Sequence, residues 1–167
     1  PLITVPAPPR SNVDRLGTLL TTFAPDMAHR LHSLPFARAL RELVDRGHFD
    51  VIQVEGIELG SYALLIRKWL SARAPIERRG CVEGSAPALV FDDHNAEYLL
   101  QRRHFETDLS NPLRWAPAFY SLIQWRRLIR FERRVCSQCD AVLAVSDADA
   151  HALTPLVPGI DPLVVSN

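Results

Sequence analysis

Short apolar runs at residues 51–55, 88–92, 141–146 and 163–165 recur along the chain with helical patterns between them. Continuous rather than alternating apolarity marks strands buried on both faces, as in a parallel sheet. Residues 35–46 place Phe36, Leu40, Leu43 and Val44 on one helical face and stop at Gly47, a suitable C-cap. Residues 59–72 carry Tyr62, Leu65, Ile66, Trp69 and Leu70 at the same spacing. The longest helical pattern spans 116–139, its buried stripe marked by Leu122, Trp125, Leu128, Ile129, Val135 and Cys136. Ser146-Asp147-Ala148-Asp149 has capping-box character and opens a short helix into Leu153. Strand and helix in alternation predict βαβ units, hence a three-layer α/β/α domain on a mainly parallel sheet. Residues 73–87, rich in charge, glycine and proline, read as a surface loop.

At 167 residues the chain fits one domain with a substantial core. Its 19 basic and 19 acidic residues cancel, so a general attraction to nucleic acid is not expected. Cys136 and Cys139 have CxxC spacing, but no second pair of ligands completes a zinc site. They also close a long helix, where the dipole raises a thiol pKa, so they read as structural rather than redox cysteines. With Cys81 the total is odd, which fits a reducing, cytoplasmic setting. No apolar run approaches the roughly 20 residues needed to span a bilayer, and the expectation is a soluble or at most peripheral protein.

Polar groups crowd one strand end. Asp92, Asp93, His94, Asn95 and Glu97 follow directly on the apolar run that ends at Phe91. The carboxyl ends of parallel strands open onto the crevice in which α/β sheets bind ligands. Right-handed crossovers then bring Glu55-Gly56, the 92–97 cluster and Ser146-Asp147 to one cleft. Asp92 and Asp93 are adjacent in a strand and face opposite ways, so one of them is structural. Glu97 reads as a helix-start residue reaching back to a free backbone N–H. Glu132 falls near the apolar stripe of the long helix and needs a partner, for which Arg102 or Arg103 is the expectation.

Taken in order, FDVIQVEG (49–56), VFDDHNAE (90–97), RFERRV (130–135), CDAVLAVSDAD (139–149) and VVSN (164–167) make the chain resemble the N-terminal domain of family 4 glycosyltransferases, retaining enzymes of the GT-B fold. Each motif is loose alone; their order and spacing carry the resemblance. It implies a Rossmann-like acceptor-binding domain covering residues 1–167. In that family a glycine-rich loop follows the first strand, and a second domain with a Glu-x7-Glu motif binds the nucleotide-sugar; neither is present in the sequence. The resemblance therefore implies a partial domain that by itself is inactive. It implies no cofactor beyond the nucleotide-sugar co-substrate, and a sugar or lipid-linked acceptor. A first strand missing upstream would leave residues 2–5, though strand-like, displaced or detached.

The resemblance further implies that His94 lies beside the transferred sugar, hydrogen-bonds a sugar hydroxyl and helps stabilise positive charge at the anomeric carbon. The bland alternative is a histidine that caps the following helix. Substrate contacts are expected from Glu55, Gly56, Asp93, Asn95 and Ser146, and Trp115, in a proline-flanked loop, could stack on a sugar ring. Arg126, Arg130 and Arg134 recur at i, i+4 and i+8. Such a stripe is usually a solvated face. Its sharper reading is peripheral contact with the inner face of the cell membrane. A noncatalytic α/β ligand-binding or protein-interaction domain remains the competing reading of the whole chain, since fold does not fix function.

Overall fold

The computed structural model describes residues 2–77, 86–93 and 95–166. Three helices come first: α1 (Asn12–Thr21), α2 (Asp26–Arg30) and α3 (Leu34–Arg46). Then follow β1 (Val51–Glu55), α4 (Gly60–Glu77), β2 (Ala88–Asp93), α5 (Glu97–Leu109), α6 (Trp115–Cys136), β3 (Ala141–Ala144), α7 (Asp147–Leu153) and β4 (Leu163–Val164). The strands lie in chain order, β1-β2-β3-β4, and all pair in parallel.

Chain-order parallel strands need crossovers of one sense, and right-handed crossovers set the connecting helices on one face. Burial along the strands agrees. Leu89, Phe91 and Asp93 of β2 and Val142 and Ala144 of β3 are buried, whereas their neighbours Ala88, Val90, Asp92, Ala141 and Leu143 are half-buried. On β1 the second face is open, with Val51 55 % exposed. The buried face meets Ile57, Ala63, Ile66, Leu70, Leu128, Val135 and Leu153 in one apolar cluster. Gly60, at the first turn of α4, lets α6 approach closely: a Cβ there would lie 2.9 Å from Val135 Cγ2.

The expected strands and the long helix are present, and so is the parallel Rossmann-like sheet. Residues 2–5 lie outside the sheet, with Leu2 90 % exposed. Residues 73–77, expected in a loop, belong to α4, which continues to Glu77. Once its first turns are anchored by Tyr62, Ala63, Ile66 and Leu70, adding hydrogen-bonded turns costs less than starting them. The middle of that loop and Cys81 lie outside the described residues.

The leading helices hang on α4 and α6 through specific hydrogen bonds. Tyr62 Oη accepts from Ser33 N at 2.7 Å and donates to Leu31 O at 2.8 Å. Gln124 Oε1 accepts from Asp26 N at 2.7 Å, and Arg127 donates to Leu19 O. Asp26, 7 % exposed, pairs with Arg10 at 2.9 Å. At the amino edge of the sheet Asp140 Oδ2 accepts from Leu89 N and pairs with Arg67, both near 2.8 Å. Those contacts hold its carboxyl below the usual range despite partial burial.

Candidate functional site at the carboxyl edge of the sheet

Register fixes which side chains share the carboxyl edge. Glu55 stands beside Asp92, Asp93 beside Ala144, and Ala144 beside Val164. Glu55 ends β1 with Gly56 next to it, and Asn95 and Ser146 lie two residues past the ends of β2 and β3, so the edge collects them as expected from right-handed crossovers. Glu55 and Asn95 are exposed, and Ser146 is half-buried. Gly56 has φ of 77°, a conformation that L side chains rarely adopt, and its N–H donates to Asp92 O at 2.9 Å. This turn sends the chain from β1 into a short 3-10 turn without covering the edge. His94 lies outside the described residues.

The two aspartates at the end of β2 do part company. Asp92 is half-buried and accepts from Gln53 Nε2 at 2.9 Å, on the open face of the sheet. Asp93 is 1 % exposed, on the buried face. The side chain it meets there is Glu132 of α6, itself 0 % exposed. Glu132 therefore does not pair with Arg102 or Arg103 as expected: Arg102 donates to Glu106 at 2.7 Å. The cause is topological, since Glu132 is turned into the interior, whereas Arg102 stays half exposed over the ring of Trp125, two turns earlier on α6. Burial pushes the Asp93 carboxyl well up, and the neighbouring charge of Glu132 adds to it. Burial likewise raises Glu132, to about 7, although a hydrogen bond from Asp93 opposes the rise.

The first turn of α5 is capped from outside. Ala96 N donates to Asp149 Oδ1 at 3.3 Å, and Glu97 N donates to Glu132 Oε1 at 3.2 Å. No side chain of α5 itself caps this end, so the expected reach-back by Glu97 is replaced by carboxylates from α7 and α6. Burial, with Glu58 nearby, raises the Glu97 carboxyl. Ser146 acts as the N-cap of α7: its Oγ accepts from Asp149 N at 3.2 Å and donates to Asp149 Oδ2. One carboxylate, Asp149, thus ties the start of α7 to the start of α5. The sequence placed Asp149 in a local cap only; its second contact joins residues 53 positions apart and leaves no local signal.

Beside Ser146 a groove of about 430 Å³ runs between α7 and β4, lined by Asp147, His151, Thr154, Asp161 and Val164. Its polar groups come from two elements, so no contiguous motif announces it. Trp115 begins α6 and is 61 % exposed, and Arg126, Arg130 and Arg134 are exposed along the same helix. Cys136 is buried and Cys139 half-buried, both as free thiols. Burial raises Cys136 strongly and Cys139 to about 11, which suits packing rather than thiolate chemistry. Among the described residues no helix is long and apolar enough to cross a membrane, and no group of His, Cys, Asp and Glu is arranged to hold a metal ion.

No curated protein and no solved structure gave a significant match to the chain. The family model described as Glycosyltransferase Family 4 matches residues 3–166, and with all four strands and the whole carboxyl edge inside that span, the chain belongs to that glycosyltransferase family.

Proposed function

We propose that this domain binds the acceptor in a retaining glycosyltransferase, which moves a sugar from a nucleotide-sugar to an acceptor hydroxyl. The observation that carries the reading is the convergence of Glu55-Gly56, Asn95 and Ser146 on one strand edge, within a chain of that family. An exposed carboxylate and amide with a half-buried hydroxyl at such an edge suit the several hydroxyls of a sugar, which both donate and accept. Asp93 serves the site by shaping the turn rather than by touching sugar, given its burial. His94, next in the chain, is assigned to the hydroxyl of the transferred sugar, where a neutral imidazole can donate or accept near neutral pH.

The test is His94→Ala in the complete enzyme. Loss of one well-placed polar contact to the reacting sugar lowers turnover about a hundredfold or more and leaves nucleotide affinity within a few fold. Turnover close to wild type would return His94 to helix capping. Equal losses in turnover and nucleotide affinity would move it to the donor's nucleotide.

A second element of the reading is peripheral membrane contact. At 3.6 residues per turn, Trp115, Phe119, Arg126 and Arg130 fall within about 60° of one another on α6, with Arg134 just beyond. Trp115 and Phe119 are 61 % and 65 % exposed. Aromatic anchors in line with arginines suit an anionic lipid surface, near which each basic side chain adds about 1 kcal/mol. Phosphatidylglycerol vesicles should sediment the protein and phosphatidylcholine vesicles should not. Charge reversal at Arg126 and Arg130 should abolish the difference, and unchanged sedimentation would return the stripe to a solvated face.

A further inference from the structure

Two acids face each other in the interior where the chain turns from β2 into α5. Asp93 is 1 % exposed and Glu132 0 % exposed. Of their four carboxyl oxygens, only Glu132 Oε1 has a hydrogen-bond partner outside the pair, the N–H of Glu97 at 3.2 Å; among the described residues both Asp93 oxygens and Glu132 Oε2 have none but each other. Two ionised carboxylates would leave three buried acceptors unsatisfied and two like charges side by side, an arrangement that interiors do not tolerate. A single proton between them supplies the missing donor. The protonated acid then donates to the other, and the pair becomes one unit of charge −1 with a strong O–H···O⁻ bond.

We propose that Asp93 and Glu132 hold one proton in common, and that this pair makes Glu132 a positioning residue for the β2–α5 turn that carries Asn95. The linkage is direct. Asp93 is the last residue of β2, Glu132 sits in α6, and the free oxygen of Glu132 caps the first turn of α5. One shared proton therefore fixes three elements against each other at the carboxyl edge. Among the described residues, the groups that act on the pair are Glu97 and the Tyr98 N–H from α5, Asp149 from α7 and the Cys136 thiol from α6. None of these brings positive charge, which favours retention of the proton. Burial raises Asp93 well above its ordinary range and Glu132 to about 7, so the pair retains a proton at neutral pH. The assignment rests on the acceptor-site reading only for its purpose; the proton itself is tested without reference to sugar transfer.

The experiment follows the Asp93 and Glu132 carboxyl carbons and the amides of Asn95, Ala96 and Glu97 by nuclear magnetic resonance between pH 4 and 9. In the wild-type chain the Glu132 carboxyl and these amides should titrate together near pH 7. Glu132→Gln keeps an acceptor for Glu97 N–H and offers Asp93 an N–H in place of the proton. It should remain folded, protect the Glu97 amide as wild type does, and abolish the common titration. Glu132→Ala should speed exchange of the Glu97 amide on the order of tenfold, as expected for loss of one hydrogen bond. Titration of both the Asp93 and the Glu132 carboxyl carbons below about pH 5 would overturn the proposal, since isolated carboxylates titrate there. Persistence of the amide titration in Glu132→Gln, or unchanged Glu97 exchange in Glu132→Ala, would overturn it too. A failed proton assignment leaves acceptor binding untouched, and loss of activity in His94→Ala says nothing of the proton.

Discussion

Replacing Gly60 by alanine sets two terms of opposite sign against each other, and the structure says which wins. Gly60 has φ of −53° and ψ of −32°, ordinary helical values, so its backbone makes no demand for glycine. On propensity alone Gly60→Ala would stabilise the first turn of α4 by up to about 1 kcal/mol. The new Cβ, however, would lie 2.9 Å from Val135 Cγ2 and 3.1 Å from Phe131 Cε1. The Phe131 ring is half-buried and can tilt, but Val135 is 0 % exposed, its methyls packed among the core residues. Overpacking of this kind costs about 1–3 kcal/mol, so the variant should be net destabilised by about 1 kcal/mol.

Urea unfolding measures this directly, with a lowered midpoint at unchanged slope. Two companions sharpen it. Gly17→Ala in α1 meets nothing within 4 Å and should show the propensity gain by itself. Val135→Ala removes the methyl that Gly60→Ala strikes, so the double variant should be more stable than the sum of the single losses by about 1 kcal/mol. Gly60→Ala at or above wild-type stability would refute the reasoning, as would strict additivity with Val135→Ala. Either result would mean that α4 and α6 are not in the close contact that orders the core.

Stability should also depend on pH through Glu132. The unfolded chain releases this proton from about pH 4.5, while the folded chain keeps it to about 7, so the stability it contributes is full below pH 4.5 and is lost as pH rises through 7. Relative to Glu132→Gln, the wild-type chain should lose up to about 3 kcal/mol across that window, read from denaturant midpoints, with Asp93 acting in the same sense; a difference flat with pH would refute it. Calorimetric titration of the 167-residue chain with uridine and guanosine diphosphate sugars should show no binding at micromolar affinity or tighter, since the family's donor site is assigned to a second domain; micromolar binding would place donor contacts on this one.

The strands were legible as short, mostly apolar runs between helical patterns, although only one face of the sheet is fully buried and Val51, Gln53 and Glu55 of β1 stand on the open one. Ser146 and Gly47 announced helix ends through cap chemistry that acts within a few residues. Helix α1 escaped notice for the opposite reason. It buries no residue and leaves Val13, Leu16 and Leu20 more than half exposed, so its only strong signal is the Ser11–Asp14 capping box. The body of α5 was missed because its charges interrupt the apolar spacing. At the carboxyl edge, the sequence placed Glu55-Gly56, Asn95 and Ser146 where the structure has them but supplied the wrong partner for Glu132. A buried acid calls for a cation by default, and nothing local says that another acid, 39 positions earlier, will meet it with a proton instead.

Strand order has a consequence for assembly during synthesis. Because β1, β2, β3 and β4 stand in the sheet in the order in which they are made, each new strand emerges with its partner already in place, and no strand must be inserted between two others. Sheet growth can keep pace with the ribosome, one βα unit at a time. The leading helices cannot. Asp26 waits for Gln124, 98 residues later, and Leu19 for Arg127, 108 residues later. These helices, made before the sheet, are thus among the last parts of the domain to dock, and until α6 is complete Pro25, Asp26 and Ala28, buried in the finished fold, are open to whatever chaperone attends the nascent chain.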